Sequence, residues 1–188
     1  MKTKLYFIVV ICLSALFASC EKTVSFDDEF KIDNEMQFAK ITTNSDYTKI
    51  ESQSGNGYIM YKELTDGKTG LKPYFTDEVK VLYTGWFKRY WTKDDTFTGD
   101  DGNVFKNKVI FDSTADRNNI PSLFKINDTR TPPIDGFATA LQHMEVGDKW
   151  EVWIPWQLGY GAAGRGDIKG YTTLVFEIEL LEIVGRKP

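Results

Sequence analysis

The chain has 188 residues, 14% of them aromatic, and a formal net charge of −4. This length suits one domain of ordinary size with extensions, and the aromatic share is sufficient for a packed core. A mildly acidic chain without a run of basic residues argues against nucleic acid as a partner.

The first residues have the pattern of an export signal. Lys2 and Lys4 precede an apolar run over 5–16, and small residues lead directly to Cys20. The apolar run is too short to span a membrane comfortably. The placement of Cys20 resembles the lipobox of bacterial lipoproteins, which implies cleavage after residue 19 and lipid attachment at Cys20. The other interpretation is a plain secreted protein with a free cysteine.

Cysteine usage agrees with lipid anchoring. Cys12 lies in the lipoprotein signal peptide predicted over 1–19, so the mature chain keeps only Cys20 and cannot form an internal disulfide. Each buried lipid methylene contributes roughly 0.8 kcal/mol, and two or more chains make anchoring stable. We therefore expect an exported protein that is lipid-anchored to a membrane of a bacterial cell envelope, facing the periplasm or at the outer membrane.

Residues 20–56 are polar and are predicted to be a lipid-anchored linker that ends in a serine- and glycine-rich stretch. An acidic triplet near its start is either a sorting signal or a solvated face. Three apolar residues indicate a short helix or docking segment within it: Phe30, Met36 and Phe38. The folded domain is predicted to cover residues 57–188.

Alternating apolar and polar residues predict the strands of this domain. Val79, Val81 and Tyr83 share one face of a strand that is expected to end at Gly85. Further strands are predicted by short apolar or alternating segments: 58–61, 109–112, 123–126, 150–154 and 173–183. Residues 86–108 mix aromatic and charged side chains, which predicts an insertion that is a long loop or an extra hairpin.

One short amphipathic helix is predicted after Pro132 and Pro133. Its apolar residues recur at helical spacing: Ile134, Phe137, Leu141 and Met144. Asp135 is the predicted N-cap, and Gly147 follows the helix end. These elements predict an α+β fold, with an antiparallel sheet wrapped on one short helix.

The sequence lacks the usual catalytic constellations. Its single histidine, His143, lies within the predicted helix, where a surface residue without a catalytic role is the simpler interpretation. Ser113 follows an aspartate but has no evident base. The glycines of 159–166 lack the lysine and hydroxyl residue of a phosphate loop. We expect a function that needs neither a metal nor a cofactor.

A set of aromatic residues with one acid remains. They stand at strand ends, at the helix start or in the glycine-rich loop: Tyr83, Phe111, Asp112, Phe124, Phe137, Tyr160 and Phe176. Each aromatic residue alone is more simply a core residue, since its burial removes roughly 150–250 Å² from water. A carboxylate directly after a buried strand needs a hydrogen-bond partner, and the Tyr83 hydroxyl is the expected partner of Asp112.

Seven sequence blocks, in register, resemble the FKBP-type peptidyl-prolyl isomerases. They are VLYTG at 81–85, FDS at 111–113, LFKI at 123–126, IDGF at 134–137, MxxGD at 144–148, IPxxLGYG at 154–161 and TLVFEIELLEI at 173–183. The resemblance runs from about residue 58 to residue 184. It implies an FKBP-like half-wrapped antiparallel β-sheet around one short α-helix, with an apolar pocket for a proline ring between them.

The resemblance also implies residue roles by position. The implied catalytic residues are Tyr83, Asp112 and Tyr160. The implied substrate-binding residues are Phe111, Phe124, Ile134, Phe137, Ile168 and Phe176. Phe137 stands where the family commonly has a tryptophan at the pocket floor, and the segment 168–171 replaces a proline-rich one. The insertion near 86–108 is much longer than the short turn of the family.

By this resemblance the chain accelerates rotation about X-Pro bonds in exported, proline-containing polypeptides and requires no cofactor. Macrolide inhibitors are a second class of ligand that the resemblance implies. The alternative is an FKBP-fold binding module or holdase chaperone with marginal isomerase activity. The aromatic residues of 86–108 suit either function, as a substrate platform or a partner surface, unless they pack on the back of the domain as core residues.

Overall fold

The computed structural model describes residues 26–186. The signal peptide predicted over 1–19 and the lipid attachment predicted at Cys20 lie outside these residues. Within them, no helix combines the length and the apolar character that crossing a bilayer requires.

The described part of the chain contains two α-helices and nine β-strands. The helices are α1 (Phe26–Thr42) and α2 (Asp135–His143). The strands are β1 (Thr48–Glu51), β2 (Tyr58–Thr65), β3 (Glu78–Lys88), β4 (Thr96–Thr98), β5 (Val104–Lys106), β6 (Lys108–Ser113), β7 (Ser122–Lys125), β8 (Lys149–Ile154) and β9 (Leu174–Ile183). Two short 3₁₀ turns lie at Ala115–Arg117 and Trp156–Leu158.

Seven of the strands form one antiparallel sheet. Its order is β1-β2-β8-β9-β3, and the outer edge of β3 is shared by β7 and β6. Strand β7 pairs with the beginning of β3, and β6 pairs with its end. The two remaining strands, β4 and β5, form a separate hairpin. Because β3 pairs along both edges, it positions residues from three other strands around Tyr83.

Helix α2 packs on one face of the sheet, called here the front face. Its Phe137 and Leu141 belong to the same buried cluster as Val81, Val152 and Ile178 of the sheet. Burial of such side chains contributes roughly 1.5–3 kcal/mol each, so this interface is the main core of the domain. The predicted α+β fold, an antiparallel sheet wrapped on a short helix, is confirmed.

The start of α2 differs from the prediction. Ile134 occupies the N-cap position, and Asp135 is the first helical residue. The Asp135 carboxylate accepts a hydrogen bond from the Ser52 hydroxyl at 2.7 Å instead of capping the helix. An acidic residue in the first turn still complements the helix dipole. The N-cap prediction was wrong because a residue distant in sequence binds this carboxylate.

Helix α1 covers the opposite face of the sheet, called here the back face. The back cluster consists of five buried residues: Phe38, Ile41, Met60, Trp153 and Val175. Strand β1 then pairs with β2 at the sheet edge. The sequence predicts a linker for 20–56, but residues 26–51 belong to the folded domain. The apolar pattern of α1 is obscured because Ile32 and Met36 are exposed while the polar Asn34 is buried.

The insertion predicted near 86–108 is shorter than expected. Residues 86–88 continue β3 beyond Gly85, and Lys108 begins β6. The residues between them contain the β4–β5 hairpin, so the hairpin alternative is the one found. Trp91 at its base packs against the back cluster, whereas Val104 on β5 is 70% exposed.

Candidate active site

The predicted site residues converge where the front face of the sheet and α2 meet the loop between β8 and β9. Here lies a pocket of about 610 Å³. Eight of the nine residues implied by the resemblance line it: Tyr83, Phe111, Asp112, Phe124, Ile134, Phe137, Tyr160 and Phe176. Residues from four strands, from helix α2 and its N-cap, and from one loop thus meet at a single cavity.

Aromatic rings form the floor and walls of this pocket. Phe137 of α2 lies centrally, with ring centroids 5.2 Å from both Phe124 and Phe176 and 5.6 Å from Tyr83. Phe176 and Phe111 meet edge to face at 5.5 Å. Tilted and edge-to-face contacts are the favourable geometries for aromatic pairs. The rings therefore support one another and form a rigid apolar surface.

Gly85 makes room for two of these rings. A Cβ atom at this position would lie 2.6 Å from the Phe176 ring and 2.7 Å from the Phe111 ring. The sequence predicts that the strand ends at this glycine, but β3 continues to Lys88 and pairs with both β6 and β9. The missing side chain allows the rings to pack directly on the backbone of β3. Gly85 does not line the pocket but makes room for two rings that do, a role that sequence reasoning missed.

A hydrogen-bonded trio stands at the side of the pocket. The Tyr83 hydroxyl donates to Asp112 Oδ2 at 2.5 Å, which is the predicted contact. Arg117 adds a second donor, with its Nη1 2.7 Å from Asp112 Oδ1 and its Nη2 3.3 Å from the Tyr83 hydroxyl oxygen. Arg117 belongs to the 3₁₀ turn after β6, and the sequence carried no periodic signal for this contact.

This trio keeps Asp112 charged and Tyr83 neutral. Burial alone would raise the pKa of Asp112, but hydrogen bonds from Tyr83 and Arg117 outweigh burial and hold that pKa below its ordinary value of 3.8. Burial, with the Asp112 hydrogen bond second, raises the pKa of Tyr83 to about 12. Near neutral pH, a carboxylate therefore accepts a hydrogen bond from a phenol that retains its proton.

Tyr160 stands at the lip of the pocket, in the glycine-rich loop. Its ring meets Phe111 edge to face at 6.5 Å, and the guanidinium of Arg165 lies 5.5 Å from its centre. The Gly164 amide donates to the Tyr160 carbonyl at 3.1 Å, so the chain turns directly after this residue. Gly164 has a φ of +71°, and a Cβ there would lie within 2.2 Å of the Ile168 carbonyl, so this turn requires glycine.

Ile168 is the one implied site residue that the structure does not place among the lining residues. It is 7% exposed and packs into the core beneath the loop. Its backbone pairs with Arg165 through hydrogen bonds of 2.8 and 3.0 Å. This tight turn presents Arg165 to the pocket instead. The turn between Arg165 and Ile168 therefore decides which of the two residues lines the pocket, and position in the sequence does not show it.

The rim of the pocket contains further residues that sequence reasoning missed. They are Leu123, Lys125, Asp128, Arg130, Thr131, Pro132, Pro133 and Arg165. The two prolines were interpretable only as chain breakers before α2. Lys125 ends β7, and the other charged residues lie in the loops after β7 and β8, where no periodicity marks the direction of a side chain.

Three carboxylates outside the pocket also lie close together. Oxygen atoms of Glu63, Asp66 and Asp148 fall within 4.8 Å of one another. Asp148 accepts hydrogen bonds from the backbone amides of Gly67 and Glu145 at 2.8 and 2.7 Å, which accounts for its burial. The other two carboxylates are exposed. The group is explained by turn geometry and does not define a metal centre.

Comparison with known proteins establishes the family. The family model for FKBP-type peptidyl-prolyl cis-trans isomerases matches residues 72–181, more than half of the chain. The chain therefore belongs to the FKBP-type peptidyl-prolyl cis-trans isomerase family, and the resemblance found in its sequence blocks is confirmed.

Two curated relatives illustrate the extent of similarity. The FKBP-type 22 kDa peptidyl-prolyl cis-trans isomerase of Escherichia coli is 38% identical over 127 residues, which cover 67% of this chain and 50% of that protein. FK506-binding protein 2 of Emericella nidulans is 37% identical over 123 residues, covering 65% of this chain and 89% of that protein. The chain thus spans half the length of its Escherichia coli relative.

Solved structures agree with this assignment. A peptidyl-prolyl cis-trans isomerase from Pseudomonas syringae pv. tomato superimposes with a TM-score of 0.61 at 31% identity, covering 86% of this chain and 98% of that chain. FkpA from Escherichia coli gives a TM-score of 0.60 at 25% identity, covering 97% of this chain and 70% of that chain. The fold is therefore that of the family.

Proposed function

We propose that this chain is a peptidyl-prolyl cis-trans isomerase that accelerates X-Pro bond rotation in exported polypeptides without a cofactor. The observation that carries the proposal is the pocket, whose apolar aromatic walls adjoin one charged, fully engaged hydrogen-bonding trio. A concave apolar site with a few convergent polar groups is the usual form of a binding site for a small apolar ring.

The chemistry of this reaction suits such a pocket. Rotation about the amide bond faces a barrier of about 18–20 kcal/mol because the bond has partial double-bond character. The twisted transition state is less polar than the planar amide, so a water-poor apolar site favours it. No bond to a nucleophile or metal is required for this step.

The residues divide into two groups in this mechanism. Phe124, Ile134, Phe137 and Phe176 hold the proline ring, and Phe111 supports Phe176 from the side. Tyr160 at the lip donates a hydrogen bond to the substrate backbone. Asp112 fixes the orientation of Tyr83 and faces the carbonyl that turns. Arg117 keeps Asp112 ionised and in place.

A protease-coupled isomerisation assay on the full chain in detergent tests this function. Asp112→Ala and Tyr160→Phe are expected to lower kcat/KM about tenfold and about fivefold, the latter being the effect of one hydrogen bond of about 1 kcal/mol. Asp100→Ala and Tyr74→Phe are matched controls, because both residues are exposed outside the pocket. A wild-type rate equal to background for several X-Pro peptides would refute the proposal.

The anchor is the second part of the proposal. We infer that residues 1–19 are removed as a signal peptide and that Cys20 carries lipid, which would hold the domain at a membrane of the cell envelope. A relative from Legionella longbeachae, 35% identical over 126 residues, is named outer membrane protein MIP, and this supports an envelope location. Cys20→Ser should release the protein from membranes. Unchanged membrane fractionation would contradict lipidation.

A macrolide is the second ligand class proposed for the pocket. Relatives named FK506-binding proteins support this, and the aromatic walls provide a matching apolar surface. Phe137 offers less contact area than the tryptophan that the family commonly has at the floor. Titration calorimetry with FK506 tests the proposal, and wild-type protein that shows no binding heat at micromolar concentration would contradict it.

The exposed hairpin favours a second candidate function, a holdase that binds unfolded clients. Val104 and Phe105 on β5 are 70% and 42% exposed, and Ile110 on β6 and Leu123 on β7 are each 55% exposed. Asp112→Ala protein that still suppresses aggregation of an unfolded client would support this candidate. A Val104→Ser variant that no longer suppresses aggregation but keeps full isomerase activity would separate the two functions.

A further inference from the structure

Helix α1 contacts the two ends of the loop that carries Tyr160. This loop leaves β8 at Pro155 and returns to β9 at Leu174. Asn34 of α1 is completely buried at its return. The Asn34 side-chain oxygen accepts hydrogen bonds from the Thr173 amide at 2.8 Å and from Trp91 Nε1 at 3.0 Å. The Asn34 carbonyl accepts a further one from the Thr173 hydroxyl at 3.2 Å.

A second set of contacts lies on the exposed side of the same loop. Trp156 at the outgoing end donates from Nε1 to Glu35 Oε1 at 3.1 Å. The rings of Trp156 and Tyr171 meet edge to face at 4.9 Å. The Lys31 ammonium lies 4.9 Å from the centre of the Tyr171 ring and 5.8 Å from the Trp156 ring. About one turn of α1 therefore contacts both the outgoing and the returning end of the loop.

These contacts connect to Tyr160 through the loop backbone. The Gly161 amide donates to the Trp156 carbonyl at 2.9 Å, and the Tyr171 amide donates to the Gly161 carbonyl at 3.0 Å. Tyr171 has a φ of +65°, a left-handed conformation that is unfavourable for a residue with a side chain. Such a conformation persists only where surrounding contacts maintain it, and the ring contacts with Trp156 and Lys31 provide them.

We propose that helix α1 positions the Tyr160 loop from the back of the sheet, with Lys31, Asn34 and Glu35 as positioning residues for the pocket. The expected change in KM rests on the isomerase function proposed above. A loop held in its binding conformation before substrate arrives loses less freedom on binding. Loosening α1 therefore weakens substrate binding and raises KM, while the rotation step and kcat change little.

The test variant is Lys31→Ala/Glu35→Ala in the full chain. Both side chains are partly exposed, so the variant removes the surface contacts without leaving a buried group unpaired. The matched control is Glu29→Ala/Lys40→Ala, which removes the same two residue types from exposed positions of α1. The conservative variant Lys31→Arg/Glu35→Gln retains a cation for the rings and an acceptor for Trp156.

Two readouts are combined. Amide hydrogen exchange of residues 156–173 is expected to become about threefold to tenfold faster in the test variant, while exchange in β8 stays as in the wild type. KM for an X-Pro peptide is expected to rise about threefold, the size that lost exposed cation–π and hydrogen-bond contacts support, with kcat within about twofold of the wild type. The conservative variant should restore both values.

Several outcomes would overturn the proposal. Loop exchange equal to that of the wild type would do so, as would the same acceleration in the control variant. Faster exchange throughout the sheet would show that α1 acts only on global stability. If the wild type has no isomerase activity, that result refutes the proposed function alone. Loop exchange and the Kd of a proline-containing peptide then decide whether α1 positions the loop.

Discussion

Two aromatic clusters lie on opposite faces of the same sheet, and only one of them is open. On the front face, rings surround a pocket of about 610 Å³: Tyr83, Phe111, Phe124, Phe137 and Phe176. On the back face, Trp86, Trp91 and Trp153 pack with ring centroids 5.2–6.0 Å apart beside α1. Strand β3 supplies both clusters, because alternate residues such as Tyr83 and Trp86 point to opposite faces.

The difference between the faces lies in their covering and in their polar groups. On the back face, Trp153 is buried while Trp86 and Trp91 are partly buried beside α1, and Asn34 binds groups of the protein itself. On the front face, no helix of residues 26–186 covers the open side of the pocket, and the trio of Tyr83, Asp112 and Arg117 borders this open space. Aromatic content therefore does not distinguish a site from a core. An uncovered surface with oriented polar groups does.

The largest expected effect is a loss of stability on removing a buried hydrogen-bond acceptor from the back face. Asn34→Ala leaves the buried Thr173 amide and the partly buried Trp91 Nε1 without their acceptor, and a buried unpaired group costs about 1–3 kcal/mol. We expect a loss of about 3 kcal/mol in the free energy of unfolding, measured by urea denaturation. The exposed residue Asn56 is the control, since Asn56→Ala should stay within about 0.5 kcal/mol of the wild type. Equal losses in both variants would contradict this account of the back face.

A smaller effect is expected from a substitution that displaces the aromatic rings of the pocket on the front face. Gly85→Ala places a Cβ within 2.7 Å of the Phe111 and Phe176 rings, so both rings must move into the pocket. Overpacking of this kind costs about 1–3 kcal/mol, and we expect kcat/KM to fall about tenfold. Aromatic NMR shifts of both rings should change in the same variant. Unmoved rings with normal kinetics would show that Gly85 does not shape the pocket.

The smallest effect concerns pH and distinguishes the charged trio from the apolar walls. Because the folded pKa of Asp112 is below 3.8, its stabilising contribution is present above that value and is lost as pH falls through the folded pKa. Because the folded pKa of Tyr83 is about 12, the contribution of its neutral form is present below pH 10 and is lost as pH rises towards 12.

Asp112→Asn separates these two titrations. The stability difference between the wild type and this variant should be largest near neutral pH and should close below about pH 4. The ultraviolet titration of Tyr83 should move part of the way from 12 towards 10, because burial remains after the carboxylate is removed. An unchanged tyrosine titration would mean that Asp112 does not hold this phenol in solution.

Much of the front face was predictable because its residues lie in regular elements. Alternation along β3 and β9 placed Tyr83 and Phe176 on the buried side, and helical spacing placed Phe137 on α2. The family blocks then brought these residues to one pocket. Ile168 lies outside such an element, and a tight turn in the loop presents Arg165 to the pocket instead.

The sequence by itself determined six of the nine strands, helix α2 and the family, because periodic burial and short motifs are local properties of the chain. Only the tertiary structure decided how α1 packs on the back face, which rings remain open and which partner each polar group binds. Asn34 and Arg117 show the reason. The Asn34 contact joins segments that are distant in sequence, and Arg117 lies in a turn. No local pattern encodes the direction of such side chains.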